Sequence, residues 1–495
     1  MTAFWLALFA AWRIAGVVVN AASGQPVAGA RVSIESSELR RSAISGDDGR
    51  FAFADLPPGR YELVGQRRGL LSEQWPGAVV AGPEQDTGNI VLRLTPPAVI
   101  SGKVTDDEGD PAAQARVELI ASKIVEGRRK LRTIAVTQTD DAGEYRVSAL
   151  RPGGYYIAVS AVPWYAKFIE TMGDNAPASM THSGFATRFY PNVKEPAAAE
   201  PLLLQAGQEG TANFTLQAVP ASAVHVHCEQ YEDLTKHYTL MSPGLPGSPV
   251  SAREGSESGF TYNFWAVAPG HYTIKAEASD GRRTWYGVSE FDVAEGDADV
   301  SLTLEQAPSL SGRVTLEGEG ALPPQLALRF DDERGESHSL AVDAKGRFSA
   351  PAILPGRYRV SLSGAGDDYL KAWPGEGGRR VGELLEIPPG AALKLTPVVA
   401  KGGRVAGTVY RDGTPVPGAL VVAVPAYRAV VAASDGSYEF RGLAPGDCGL
   451  FAVEGGPDLE YANPEAIRPY MERAKRVRVS GDGANHVRLE AIETR

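Results

Sequence analysis

The sequence predicts an all-β protein of five tandem antiparallel β-sandwich modules, and three observations carry that prediction. Two short signatures recur together five times along the chain. Apolar residues inside those signatures alternate with polar ones at a period of two, the spacing of a strand with one buried face. Amphipathic helical windows are almost absent, and Gly (55) and Pro (35) are spread evenly over the 495 residues as turn punctuation.

The first signature is a turn followed by an aromatic residue: Asp48-Gly49-Arg50-Phe51, Ala142-Gly143-Glu144-Tyr145, Ser258-Gly259-Phe260, Lys345-Gly346-Arg347-Phe348 and Asp435-Gly436-Ser437-Tyr438. The glycine supplies the positive φ that a tight hairpin wants. The second signature follows ten or eleven residues on: Pro58-Gly59-Arg60-Tyr61, Pro152-Gly153-Gly154-Tyr155, Pro269-Gly270-His271-Tyr272, Pro355-Gly356-Arg357-Tyr358 and Pro445-Gly446-Asp447-Cys448. Their Pro-Gly positions lie 94, 117, 86 and 90 residues apart, the length of one small domain each. Pairs such as Phe51/Phe53 and Tyr61/Leu63 alternate as strand faces do.

An opening strand precedes each copy, as in Ile14-Ala15-Gly16-Val17-Val18, Ile100-Ser101-Gly102-Lys103-Val104, Leu310-Ser311-Gly312-Arg313-Val314 and Val405-Ala406-Gly407-Thr408-Val409. The third copy diverges to Ala223-Val224-His225-Val226-His227. Three copies continue with Pro-x-x-x-Ala-x-Val or a variant of it, from Pro26, Pro111 and Pro415. The expected modules span 13–96, 97–219 (with a long loop insertion over 161–190), 220–307, 308–400 and 401–495, the last with a short helical segment near 464–474.

Bulk properties narrow the class. A chain this long exceeds one hydrophobic core. The formal net charge of −11 disfavours a general nucleic-acid or anionic-membrane surface. Cys228 and Cys448 fall in different copies, so no bridge between them is expected. Residues 1–12 contain the apolar run Phe4–Trp12, too short to span a bilayer and of the length of a signal-peptide core, although no Lys or Arg precedes it. We read 1–12 as the remnant of a signal peptide, and no later segment as an anchor.

Taken in order, G-x-V, P-V-x-G-A-x-V, D-G-x-F/Y and L-x-P-G-x-Y, these motifs resemble the carboxypeptidase regulatory-like domain. The resemblance is strong in copies one, two and five, and weakest in three. It implies a transthyretin- or prealbumin-like sandwich, similar to immunoglobulin-like and carbohydrate-binding modules in fold. It also implies a multi-module exported bacterial protein, whether secreted, periplasmic or on the cell surface. The module serves as spacer, folding aid or binder in different hosts, so it names no ligand.

No catalytic constellation accompanies the repeats. None of the seven histidines has Glu three residues on, as a zinc carboxypeptidase requires, and H-E-x-x-H, G-x-S-x-G and the phosphate-binding loop are absent. We therefore expect no enzyme and no cofactor. His225 and His227 are the weak metal candidates, because alternation places them on one strand face. Alignment of the copies instead sets His225 at a glycine position and His227 at a core valine position, an ordinary substitution in a divergent copy. Asp106-Asp107-Glu108 and Asp331-Asp332-Glu333 read as solvated turns, and Cys448 as a buried thiol. The functional candidates are aromatic. Trp75, Tyr190 and Trp373 each precede Pro, while Trp164, Tyr165, Trp285 and Tyr286 fall in longer loops. Exposed flat rings stack on sugars, whereas buried ones would plug the sandwich ends or the module contacts. The expected function is a non-catalytic binding or adhesion protein with a carbohydrate or cell-envelope partner. The alternative is a spacer, drawn as a semi-rigid rod, or an accessory subunit of a surface, transport or peptidase system.

Overall fold

Alternation in sequence becomes sheet faces in space. In the strand Arg50–Leu56, Phe51, Phe53 and Leu56 are buried while Arg50, Ala52 and Ala54 face out. In Gly59–Gln66, Tyr61, Leu63 and Gly65 turn inward. The computed structural model describes residues 12–82, 87–164, 183–228, 230, 234–242, 253–258, 261–332, 337–456, 458–481 and 484–493. The N-terminal apolar run up to residue 11, most of the 161–190 insertion with Tyr165 and His182, and Gly259, Phe260 and Glu333 lie outside the described residues.

Trp12–Asn20 is the centre of the first sheet, antiparallel to Arg50–Leu56 and parallel to Thr87–Leu94. A second sheet runs Arg40–Ile44, Arg31–Glu35, Gly59–Gln66, with Glu73–Gln74 and Val79–Ala81 on its far edge. Ile14, Val18, Phe51, Phe53 and Leu92 meet Val32, Ile34, Tyr61 and Leu63 between them. Each such side chain, taken fully from water, contributes about 1.5–3 kcal/mol before entropy is charged against it.

The pattern recurs down the chain. Ala98–Thr105 lies between Glu144–Leu150 and Glu209–Thr211. Ser222–His227 lies between Thr261–Val267 and Ala298–Ser301. Ser309–Arg313 lies between Arg347–Ala350 and Ala392–Leu395. Gly403–Arg411 lies between Ser437–Leu443 and Ala484–Glu493. Each set encloses its own cluster of buried apolar side chains. One pairing departs from the antiparallel expectation, because in every set the opening and closing strands run parallel. The chain thus enters at one end of a sandwich and leaves at the other.

The glycine turn of the first signature also differs from expectation. Gly49, Gly143, Gly346 and Gly436 have φ of 73–79°, the left-handed region the sequence called for. In these four copies the turn is not a hairpin, whereas in the third Arg253–Ser258 pairs antiparallel with Thr261–Val267, Ser258 opposite Thr261, as the strands of a hairpin do. Arg40–Ile44 and Arg50–Leu56 belong to different sheets, so Gly49 carries the chain across the sandwich.

The glycine of the opening strand has a steric cause. A Cβ on Gly102 would lie 1.8 Å from the carbonyl oxygen of Ala212, and one on Gly407 would lie 1.8 Å from that of Val487. The aromatic residue opposite uses the same carbonyl: Tyr145 donates its hydroxyl to Ala212 O at 2.7 Å, and Tyr438 to Val487 O at 2.8 Å. The tyrosine after Pro-Gly is fixed likewise. Tyr61, Tyr155, Tyr272 and Tyr358 donate to the carbonyls of Pro57, Arg151, Ala268 and Leu354, each four residues upstream, at 2.7–2.8 Å. Each ring is buried and each hydroxyl is satisfied.

The sheets do not string out as a rod. Arg151 grips Glu73 at 2.8 Å, joining the second set to the first. The Gly402 amide donates to Asp367 O at 2.9 Å, and Lys401 pairs with buried Asp368 at 2.7 Å. The last sheets return to the first: the Ser434 amide donates to Ala78 O, its hydroxyl accepts from the Val80 amide, and Arg60 reaches Ser437 Oγ.

The helix Pro464–Met471 packs on the last unit. Pro464 opens it, Asn463 caps it by accepting from the Glu465 amide, and buried Tyr470 stacks on Phe451 at 5.6 Å.

Candidate functional site

Trp75, Tyr190 and Trp373 are half-buried, and each packs against a different apolar cluster, so no common platform joins them. The Trp75 amide donates to Leu63 O, while its indole Nε1 is buried with no hydrogen-bond partner among the described residues. The next two residues sit in the contact between the first and last sheets. Pro76 lies 3.5 Å from the place of a Cβ on Gly418, and a Cβ on Gly77 would be 2.6 Å from Ala432 O. Tyr190 is held by its amide to Ile157 O and precedes a cis proline. Trp373 carries the Arg380 guanidinium 5.3 Å from its ring centroid, a cation–π contact.

Two of the supposed loop aromatics are strand residues. Trp285 and Tyr286 lie in Thr284–Val293 and are buried, because both faces of that strand are covered at this point. Trp164 is exposed.

The third opening strand corrects the alignment. Val224, Val226 and Cys228 point into the core, so His225 and His227 share the outer face. Val226, not His225, lies opposite the aromatic Tyr262, as Gly102 lies opposite Tyr145. His227 is therefore not at a core position. It bonds Thr261 Oγ1 through Nδ1 and Asp299 through Nε2 at 2.8 Å, which holds the Asp299 carboxyl below its usual range. His225 bonds Asn263 Oδ1 at 2.7 Å. Among the described residues no three His, Cys, Asp or Glu side chains are grouped to hold a metal ion.

Cys228 and Cys448 are free and buried, and burial raises the Cys448 thiol. Asp106 behaves as a turn residue, accepting from the Glu108 and Asp110 amides. Asp331 and Asp332 do not: they end the strand Ala327–Asp332, and Asp331 accepts from Arg329 Nε at 2.9 Å.

That strand forms one wall of a cleft of about 680 Å³ built from three distant parts of the chain. The second wall is the tip of the hairpin Arg116–Val125/Arg128–Gln138, and the third is the segment around Tyr427 with Tyr461. The hairpin is anchored on both sides. Glu126 pairs with Arg329, the Gly127 carbonyl accepts from the Ala462 amide, and Arg129 pairs with Glu460 at 2.9 Å. The pair holds Glu460 below the usual carboxylate range. Arg128, Lys130 and Arg359 also line the cleft, and none has an ion-pair partner among the described residues. The Asp331 side chain is only 10% exposed, and its Oδ2 is buried without a hydrogen-bond partner among the described residues. Nothing in the sequence announced this site except the basic run at Arg128–Lys130, since its walls come from separate stretches around 125–130, 331–384 and 426–462.

With this geometry in hand, comparison places part of the chain. Residues 13–93 and 99–217 match the model of the carboxypeptidase regulatory-like domain. The opening glycines Gly16 and Gly102, and the corner tyrosines Tyr61 and Tyr155, fall inside these two regulatory-like stretches. No curated protein matches the chain. Among solved structures, the Bacillus anthracis TIE protein aligns over 79% of this chain and 68% of its own at 12% identity, with a TM-score of 0.17. A streptococcal ancillary pilin aligns over 59% and 99% at 10% identity and a TM-score of 0.19. The minor pilin GBS52 of Streptococcus agalactiae aligns over 42% and 96% at 14% identity and a TM-score of 0.21. No helix among the described residues is long and apolar enough to cross a membrane.

Proposed function

We propose that the protein is a non-catalytic, exported binding protein of the cell envelope, with carbohydrate as the partner class. Its five sandwich modules, bounded 13–96, 97–219, 220–307, 308–400 and 401–495, act as one platform. The observation that supports this reading is the return of the last sheets onto the first, through Ser434 with Ala78 and Val80. Contacts of that kind fix the mutual orientation of loops and hairpin tips that a flexible string would leave free. Clefts between domains are preferred places for ligands to bind.

Trp75, Tyr190 and Trp373 remain in the proposal as ring edges at the platform surface. A purely architectural role is favoured for one of them. The Trp75 corner is packed into the first–last contact, as a plug would be.

A glycan array probed with the intact chain tests the reading. Discrete saccharide signals are expected, with Trp373→Ala weakening any that depend on the ring face and Trp75→Ala acting through stability alone. A flat array, with purified envelope fractions also failing to retain the chain, would leave the spacer role ahead.

A further inference from the structure

We infer that the cleft between the hairpin tip, the strand Ala327–Asp332 and the Tyr427/Tyr461 wall binds an acidic saccharide, a chain bearing uronate carboxylates. This deepens the proposed function and rests on its carbohydrate reading.

The charge of the site runs against that of the chain. The protein carries −11 overall, yet the cleft is lined by Arg128, Lys130, Arg359 and Arg428 against Glu126, Asp331 and Asp332. Glu126 and Asp331 both bind the guanidinium of Arg329, which occupies their charge. Arg128, Lys130 and Arg359 line the cavity with no ion-pair partner among the described residues, and Asp332 is the one further carboxylate of the lining. Charge-assisted hydrogen bonds from Arg to a carboxylate are shorter and about twice as strong as neutral ones. An anionic ligand satisfies all three cations.

Charge alone would suit many anions, and two further features select a sugar. The buried Oδ2 of Asp331 has no hydrogen-bond partner among the described residues. An orphaned buried acceptor costs free energy until a donor arrives, and a sugar hydroxyl is such a donor where an anion with no proton, such as sulfate, is not. Tyr427 and Tyr461 add two aromatic rings to the wall opposite, with Tyr461 seated against Gly127 so closely that a Cβ there would meet its ring at 2.5 Å. Aromatic rings pack on the apolar faces of pyranoses while their hydroxyls bond at the edge. A cavity of about 680 Å³ lies within the ordinary range for small-molecule sites. Carboxylate, hydroxyl and flat apolar face together describe a uronate.

The test is calorimetric titration of the intact chain with a galacturonate hexamer, with maltohexaose as the neutral comparator and hexaglutamate as the acidic peptide. The hexamer is expected to bind, more weakly as salt rises, and maltohexaose is expected not to bind at the same concentrations. Arg359→Ala and the double variant Arg128→Ala/Lys130→Ala are each expected to weaken binding about tenfold or more, with unchanged melting curves because these side chains reach solvent. Tyr427→Leu is expected to weaken it without altering the salt dependence. Equal or tighter binding of hexaglutamate would overturn the saccharide assignment. Hexamer binding that the cleft variants leave intact would overturn the site while the carbohydrate reading stands. Failure of the hexamer beside discrete neutral signals on the array would also sink the site alone, and failure of every glycan would sink both.

Discussion

The hydroxyl of Tyr145 donates to the carbonyl oxygen of Ala212, 67 residues away in sequence, across 2.7 Å. Gly102 lies beneath that bond, with room for a hydrogen and nothing larger. A Cβ at this position must displace backbone, so Gly102→Ala is expected to destabilise the protein by about 1–3 kcal/mol, the usual cost of overpacking. Gly24→Ala, in open space but at φ 70°, is the comparison and is expected to cost about 1 kcal/mol. Thermal melts of the two variants check the order.

Phenols buried in this way resist ionisation. Burial holds the Tyr145 and Tyr438 hydroxyls well above their ordinary value and pushes Tyr272 up to about 12. A group whose folded pKa is raised keeps its proton longer in the folded state. Its stabilising contribution is complete below about pH 10, where the unfolded phenol begins to ionise, and declines as pH rises towards 12. Alkaline unfolding is expected to begin in that window and to coincide with tyrosinate absorbance. Early, independent titration of all the tyrosines would contradict the corner bonds.

At the joint before the last sheets, the Asp368 side chain is 1% exposed and meets Lys401 Nζ at 2.7 Å. Removing the cation leaves a buried carboxylate uncompensated. Lys401→Met is expected to cost about 3–5 kcal/mol, whereas the double replacement Lys401→Met/Asp368→Leu recovers most of it. A double-mutant cycle by denaturant titration measures the coupling, and a coupling near zero would show the pair to be incidental.

Within each sandwich the sequence was highly legible. Phe51/Phe53 and Tyr61/Leu63 declared their buried faces, because period-two alternation is a direct image of one covered face. The glycines of the first signature, Gly49, Gly143, Gly346 and Gly436, declared their positive φ. What those glycines connect was not legible, since a sheet-to-sheet crossing and a hairpin need the same local backbone. The third copy misled for a related reason. One residue of slip reverses every side chain, so aligning His225 with glycine turned His227 inward, when Val224, Val226 and Cys228 hold the core. Trp285 and Tyr286 carried no pattern to separate a doubly covered strand from a loop. The cleft was the least legible feature. Arg128, the cross-strand neighbours Asp331 and Arg359, and the pair Tyr427 and Tyr461 come from three units united only by contacts between them, and repeats reveal units without revealing how they dock.

The folded-back platform is tested most directly by a disulfide between the first and last sheets. Ser434 N lies 2.9 Å from Ala78 O, and cysteines on backbones this close can meet the geometry of a bridge. Cys228 and Cys448 are buried and do not compete. In the variant Ala78→Cys/Ser434→Cys, mild oxidation in dilute solution is expected to give one intramolecular bond in nearly every molecule, read by mass spectrometry of the tryptic digest. Thiols that stay free, or bonds that form only between molecules, would show the first and last units to be apart and would dismantle the platform.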